Sequence, residues 1–284
     1  VALSFLERNK EKPFALFVSF NPPHSPYDAV PKKYEDMYAG MGMERKSLAW
    51  AQHPENVGDL IPEGLDLRVA ARQYYAAVTG IDENIGRITA WLKENGLYEN
   101  TYIMVSADHG DMMGDHQLVA KHIWYEGSIG IPLMISGGGL KPRRTRELVS
   151  GEDQAATILG MLGIAVPECM DGMDFSPLLR GEEFQGHKSI MTMAFPSTQE
   201  RIDEFAAKGL DFMDYGWRCI VTERYKLAVN KGRQYGMEQH TYLYDMQEDP
   251  GENISIDDPE VMGQMMEELR YWCRKNNDRF CTES

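Results

Sequence analysis

The chain has 284 residues, 43% of them hydrophobic and 26% charged, with a formal net charge of −15 at pH 7. That length and apolar content can bury a sizeable core, as one large domain with an appendage or as two smaller domains. The acidic balance argues against nucleic acid as a partner, and without a run of eighteen apolar residues nothing in the sequence reads as a membrane span.

The chain opens on Val1 and Ala2 with no leader-like segment, which reads as a missing native start. From Phe14 to Phe20 the run FALFVSF is nearly all apolar, as a strand covered on both faces would be. Asn21-Pro22-Pro23 stops it, and His24 follows at once. Leu67 to Asn95 carries the clearest helical signal: Val78, Ile81, Ile85, Ile88 and Leu92 recur at spacings of three and four, and Gly96 is placed to cap the end. A strand from Tyr102 to Ser106 then delivers Asp108-His109-Gly110, and a third apolar run, Ile131 to Ile135, ends in three glycines. This rhythm predicts an α/β fold with a largely parallel sheet.

Ser150 and Asp153 have the spacing of a capping box for a helix running to Gly163. Beyond a composition change near Gly181, short strand-like runs follow at Ser189 to Phe195, Trp217 to Thr222, Tyr225 to Val229 and Tyr242 to Asp245. They predict a small antiparallel sheet. Asp258-Pro259 opens a last helix whose Met262, Met265, Met266, Leu269 and Trp272 line one face, the face expected to pack on that sheet. The predicted organisation is a large α/β domain over residues 1–181 and a small α+β subdomain over 182–284.

The four cysteines, Cys169, Cys219, Cys273 and Cys281, include no C-x-x-C pair, which disfavours a zinc or thioredoxin-like site and leaves the compartment undecided. Cys219, inside an apolar run, reads as a buried inert thiol. The chemistry-bearing residues gather at strand ends, where open α/β sheets bind ligands. Asp108 and His109 are two metal-ligand types just past a strand, a pair that suits either a hard or a softer divalent ion. Their bland alternative is a polar turn closing the strand. His24 stands between prolines that restrict the backbone. A histidine so held beside an anion can donate a proton to a departing oxygen; otherwise it is a solvated turn residue. Lys121 offers a compact positive charge within one loop of Asp108, although most loop lysines are simply exposed. Gly137-Gly138-Gly139 lacks G-x-G-x-x-G spacing, and Ser176 lacks a G-x-S-x-G elbow, so neither marks a site.

With these residues the chain resembles the formylglycine-dependent sulfatase family of the alkaline-phosphatase-like superfamily. The resemblance rests on KPFALFVSFNPPHSPY at Lys12 to Tyr27, on YYAAVTGIDENIGRITAWLKENGLYENTYIMVSADHGDMMGDH at Tyr74 to His116, on Lys121 with YEGSIGIPLMI at Tyr125 to Ile135, and on LYDMQEDPGE at Leu243 to Glu252. It implies an alkaline-phosphatase-like α/β/α sandwich, incomplete at its amino terminus, that hydrolyses sulfate esters of saccharides or aryl alcohols. It implies Asp108 and His109 as ligands of a divalent ion, calcium or else magnesium, and His24 and Lys121 as catalytic contacts to the sulfate group. His116 enters as a further substrate contact or as a residue that shapes the loop. Export to a periplasmic or extracellular space is implied as well.

The departures are equally specific. The family's nucleophile is a formylglycine made from a C/S-x-P-S-R motif, and no such motif occurs here. No early Asp-Asp pair supplies the family's first metal ligands, since Asp257-Asp258 precedes a helix. Gly130 stands where relatives often carry arginine. The expectation is therefore the carboxy-terminal portion of a sulfatase, inert or nearly so by itself. Two alternatives remain: a phosphodiesterase or phosphonate monoester hydrolase of the same superfamily, and a non-catalytic anion-binding module. Substrate specificity is expected in the loops Lys32 to Glu63 and Pro196 to Tyr215. The site residues are expected to converge on one anion cavity.

Overall fold

The computed structural model describes residues 1–42 and 58–281. In chain order its helices and strands are α1 (Ala2–Asn9), α2 (Lys32–Glu35), β1 (Asp59–Leu60), α3 (Leu67–Glu94), β2 (Tyr102–Ser106), β3 (Leu118–Val119), α4 (Glu126–Ile129), β4 (Leu133–Gly137), α5 (Asp153–Met161), α6 (Ser176–Arg180), β5 (Ile190–Ala194), α7 (Gln199–Ala206), β6 (Trp217–Val221), β7 (Tyr225–Asn230), β8 (His240–Asp245) and α8 (Pro259–Lys275). They form two compact units, one holding α1, α2, α3, β2 and β4 and the other holding the rest. Gly181, where the composition changes, lies inside the second unit. The central part of the expected specificity loop Lys32 to Glu63, residues 43–57, lies outside the described residues.

In the first unit α3 begins where the Asp66 carboxylate accepts the Arg68 and Val69 amides, satisfying donors that a helix start leaves unpaired. It ends where Gly96 takes a left-handed φ of +69° and Leu97 N bonds Leu92 O at 2.8 Å. Only part of the predicted stripe is covered: Leu92 is buried and Val78 is exposed.

Two strand expectations change. β2 and β4 pair antiparallel, with Met104 opposite Ile135, and not in the parallel sense expected. Their connection contains the four-residue α4 in place of a long crossover helix, the element that usually returns a chain to the same sheet edge for parallel pairing. The run Phe14 to Phe20 is not a strand among the described residues, and Phe17 is 92% exposed. Apolar sequence favours burial, but a strand exists only where a neighbouring backbone completes its ladder.

The second unit is organised by the predicted antiparallel sheet, in the order β5-β6-β7-β8. Alternation sends Ile220, Leu227, Val229 and Leu243 to one face, where Met265, Leu269 and Trp272 of α8 cover them. The Asp258 carboxylate caps α8 through the Glu260 and Val261 amides, both at 3.1 Å. The opposite face carries Trp217, Cys219, Ala228, Tyr242 and Tyr244, and it buries Met112, Leu118, Ile123, Trp124 and Tyr125. Each such large apolar side chain contributes about 1.5–3 kcal/mol on burial. The loop that follows Asp108 is therefore seated on the small sheet, which sets the conformation of the site described next.

Candidate active site

Asp108 and His109 stand two and three residues past the end of β2. The Asp108 side chain is 91% exposed, its Oδ1 accepts the His109 amide at 3.1 Å, and its Oδ2 lies 3.7 Å from His109 Nε2. His109 Nδ1 donates to the Gly110 carbonyl at 2.7 Å, which fixes the tautomer and leaves Nε2 as the lone-pair nitrogen. Gly110 is dictated by close approach, because a Cβ there would meet the Gly127 carbonyl oxygen at 2.2 Å. The carboxylate and imidazole thus form a two-donor pair that suits a divalent ion. A calcium ion takes about six to eight oxygen ligands, so the pair fills only part of such a shell. Among the described residues no group of three or more His, Cys, Asp or Glu side chains gathers to complete it.

The loop from Asp111 to His122 is pinned at several points. Asp111 Oδ1 accepts the amides of Met113 and Ala120, both at 2.9 Å. Met113, His116, Gln117, Ala120 and His122 all adopt left-handed backbone conformations, a cost of order 1–3 kcal/mol each that persists only where surrounding contacts over-determine them. Lys121 emerges from this stretch. β1 pairs with β3 so that Asp59 lies opposite Val119, and Asp59 Oδ2 accepts from the Lys121 amide (3.4 Å) and from His122 Nδ1 (2.9 Å). Partial burial opposes the charge on Asp59, but His122 and the Lys121 amide together hold its carboxyl below the usual range. Trp217 Nε1 donates to the His122 carbonyl at 3.0 Å, tying the same stretch to the small sheet. Sequence reasoning passed over Asp59 and His122, because a bond across 63 positions leaves no local signal.

His116 is 2% exposed, with its ring stacked on Tyr125 (3.7 Å between centroids, 3° apart) and its Nε2 donating to Gly251 O at 3.0 Å. This geometry fits the loop-shaping role. Burial lowers its pKa, so the unfolded chain takes up the proton first as pH falls below the ordinary value of about 6.5. The stabilisation from neutral His116 is present above that value and is lost below it. The urea midpoint of the wild type is expected to exceed that of His116→Gln at pH 8, and the gap to narrow by pH 5.

His24 belongs to the first unit and the other residues to the second. It is exposed, its amide bonds Asn21 O at 3.1 Å, and its Nδ1 donates to the Ser25 carbonyl at 2.7 Å. The remaining proton chemistry falls to Nε2. A cavity of about 40 Å³ opens beside it, lined by Asn21, Pro22, Pro23, Tyr27 and, from α3, Ala77. Ser176 begins α6.

The α/β framework with its small antiparallel sheet is the alkaline-phosphatase-like fold. A sulfatase family model matches residues 1–164, more than half of the chain, and a second model, the carboxy-terminal region of N-sulphoglucosamine sulphohydrolase, matches residues 114–278. The chain belongs to the sulfatase family. It is 29% identical over 289 aligned positions to an endo-4-O-sulfatase of Bacteroides thetaiotaomicron, covering 97% of this chain and 54% of that protein, so it spans about half the length of this curated relative. A B. thetaiotaomicron structure solved in work on the metabolism of multiple glycosaminoglycans superposes with a TM-score of 0.80 at 26% identity, over 98% of this chain and 58% of that one. The phosphonate monoester hydrolase of Agrobacterium radiobacter superposes with a TM-score of 0.77 at 25% identity, over 96% of this chain and 59% of that one. No helix among the described residues is long and apolar enough to cross a membrane.

Proposed function

We propose that the chain supplies the leaving-group and metal-proximal residues of a hydrolase that cleaves sulfate esters of saccharides in a periplasmic or extracellular space. The observation that carries this reading is the Asp108–His109 donor pair at the carboxyl end of β2, in a chain of sulfatase descent. The saccharide assignment draws on the relatives, an endo-4-O-sulfatase and the N-sulphoglucosamine sulphohydrolase family. A divalent ion and an upstream formylglycine would supply charge neutralisation and the nucleophile. Asp108 and His109 would hold the ion, Lys121 would balance charge on the sulfuryl oxygens, and His24 would deliver a proton from Nε2 to the departing alcohol oxygen.

The test uses the full-length polypeptide that contains this chain. A sugar alkoxide is a poor leaving group that needs protonation, whereas a nitrocatecholate departs without it. His24→Ala is therefore expected to slow hydrolysis of a sulfated saccharide by about 10²–10⁴ and to leave 4-nitrocatechol sulfate much less affected. Equal loss on both substrates would remove His24 from the acid role. The 284 residues by themselves, which carry no C/S-x-P-S-R motif, are expected to hydrolyse either ester only at background. The likeness to a phosphonate monoester hydrolase supports one second reading, and preference for a phosphonate monoester over every sulfate ester would favour it.

A further inference from the structure

The mechanism uses none of the four cysteines, yet two of them meet. α8 ends at Lys275, and the chain reverses through Asn277 in a left-handed conformation, with Asp278 N bonded to Cys273 O at 2.8 Å. This turn carries residues 279–281 back against the helix. Cys281 packs on the same apolar cluster that contains Cys273, Leu269 and Phe280, so the turn sets the two thiols in one buried cluster.

The returning segment is held firmly. Arg218, fully buried, grips the Asp278 carboxylate through Nε (2.5 Å) and Nη2 (3.1 Å) and is sandwiched between the Phe195 and Phe280 rings. Lys231 Nζ donates to the Phe280 carbonyl, and Arg279 pairs with Asp211 and Asp214. Cys273 is 2% exposed and Cys281 is half-buried, so a reagent in solution reaches Cys281 first. The Cys273 thiol, with the nearby Lys231 and Arg218 charges, favours a thiolate at Cys281, whereas that same contact and burial push Cys273 upward. The other two thiols differ. Cys169 is exposed, and Cys219 is wholly buried with its thiol pushed up to about 12 by desolvation.

We propose that Cys273 and Cys281 form a dithiol site that closes to an intramolecular disulfide when it meets a small-molecule disulfide such as oxidised glutathione. The Cys281 thiolate attacks one sulfur of glutathione disulfide, which breaks that S–S bond and releases one glutathione thiolate. Cys273 gives its proton to solvent and attacks Cys281 Sγ, expelling the second glutathione. Two protein thiols are oxidised and one disulfide is reduced to two thiols. The new bond fastens the end of α8 to the turn that Arg218 anchors. The inference does not depend on the sulfatase reading.

The experiment exposes the folded chain to oxidised glutathione, quenches it with iodoacetamide and maps tryptic peptides without reduction. The expected product joins peptide 271–274 to peptide 280–284, lighter than the reduced pair by two hydrogens and separated again by dithiothreitol. Cys169 takes up a glutathionyl adduct, and Cys219 stays reduced. Cys273→Ser is expected to trap the adduct on Cys281, and Cys281→Ser to leave Cys273 unmodified. Peptides 271–274 and 280–284 that stay unlinked in the wild type, whether alkylated or carrying a lasting adduct on Cys281, overturn the proposal.

Discussion

Lys226→Ala is expected to lower the folding stability of the chain by about 3–5 kcal/mol, measured as a drop in the urea midpoint at unchanged slope. Lys226 lies on β7 with its side chain fully buried, and its ammonium donates to Glu252 Oε1 (2.8 Å), Glu126 Oε2 (3.0 Å) and the Trp124 carbonyl (3.4 Å). Glu252 is itself buried, and its other oxygen accepts the Glu126 amide at 2.7 Å. Burial already pushes the Glu252 carboxyl upward, and removing the lysine takes away its main counter-charge, so the large penalty arises from burying an unpaired charge or from protonating it. Glu126 is nearly half exposed, so water replaces its partner and its loss costs little. The pair Lys226→Met with Glu252→Gln removes both charges together and is expected to recover most of the loss.

The sign of the pH dependence follows from the same contacts. Burial opposes the charge on Lys226, but Glu252 and Glu126 outweigh it and raise the pKa above the ordinary value. A raised lysine contributes its full stabilisation below its unfolded value, about 10.4, and loses it only as pH rises through the higher folded value. The gap between wild type and Lys226→Met is therefore expected to be constant from pH 7 to 9 so far as this group decides it, and to shrink in stronger alkali. The network also joins residues 124–126 and 249–252, between which His116 is fixed, so its loss would loosen the seat of the Lys121 loop.

Lys121→Ala in the full-length polypeptide is expected to lower kcat/KM for a sulfate ester by about 10²–10³, the loss typical of one charge-stabilising donor. Inhibition by the product, inorganic sulfate, is expected to weaken in parallel, because in the proposed role the same ammonium serves both anions. Lys121→Arg keeps the charge but presents a planar fork from a longer reach, so it restores only part of the rate. Asp59→Asn separates position from charge. It keeps the Lys121 ammonium but weakens the anchor, shared by the Lys121 amide and His122, that positions it. A loss of about tenfold in kcat with KM nearly unchanged is expected, since a misplaced group raises the barrier without removing uniform binding. An unchanged rate in Lys121→Ala would remove this residue from the chemistry.

Elements whose determinants lie within one or two turns were legible before the fold was known. Gly96 ends α3 and Asp258-Pro259 starts α8, whereas at α5 only half of the capping-box exchange forms: Asp153 Oδ2 accepts the Ser150 amide at 2.7 Å, and the helix itself starts at Asp153 with Glu152 at its N-cap and no side-chain cap. The four strands of the small sheet follow from alternation and turn residues. The apolar run at Phe14 to Phe20 misled for the opposite reason, because strand formation depends on a ladder partner that composition does not specify.

The candidate site divides along the same line. Asp108 and His109 are neighbours in the chain, so their joint availability as donors could be read from a strand ending in two ligand types. The setting of Lys121 could not, because it depends on Asp59 and Trp217, 62 and 96 positions away along the chain. Lys226 reads as one more strand lysine until two carboxylates, 100 and 26 positions away, meet it in the interior. By itself the sequence determined the long helices α3 and α8, the small sheet, the sulfatase descent and the types of side chain available for chemistry, since these rest on local periods, caps and contiguous motifs. Only the tertiary structure decided that the loop after Asp108 is built on the carboxy-terminal sheet, because burial, ion pairing and backbone ladders are settled between segments far apart in the chain.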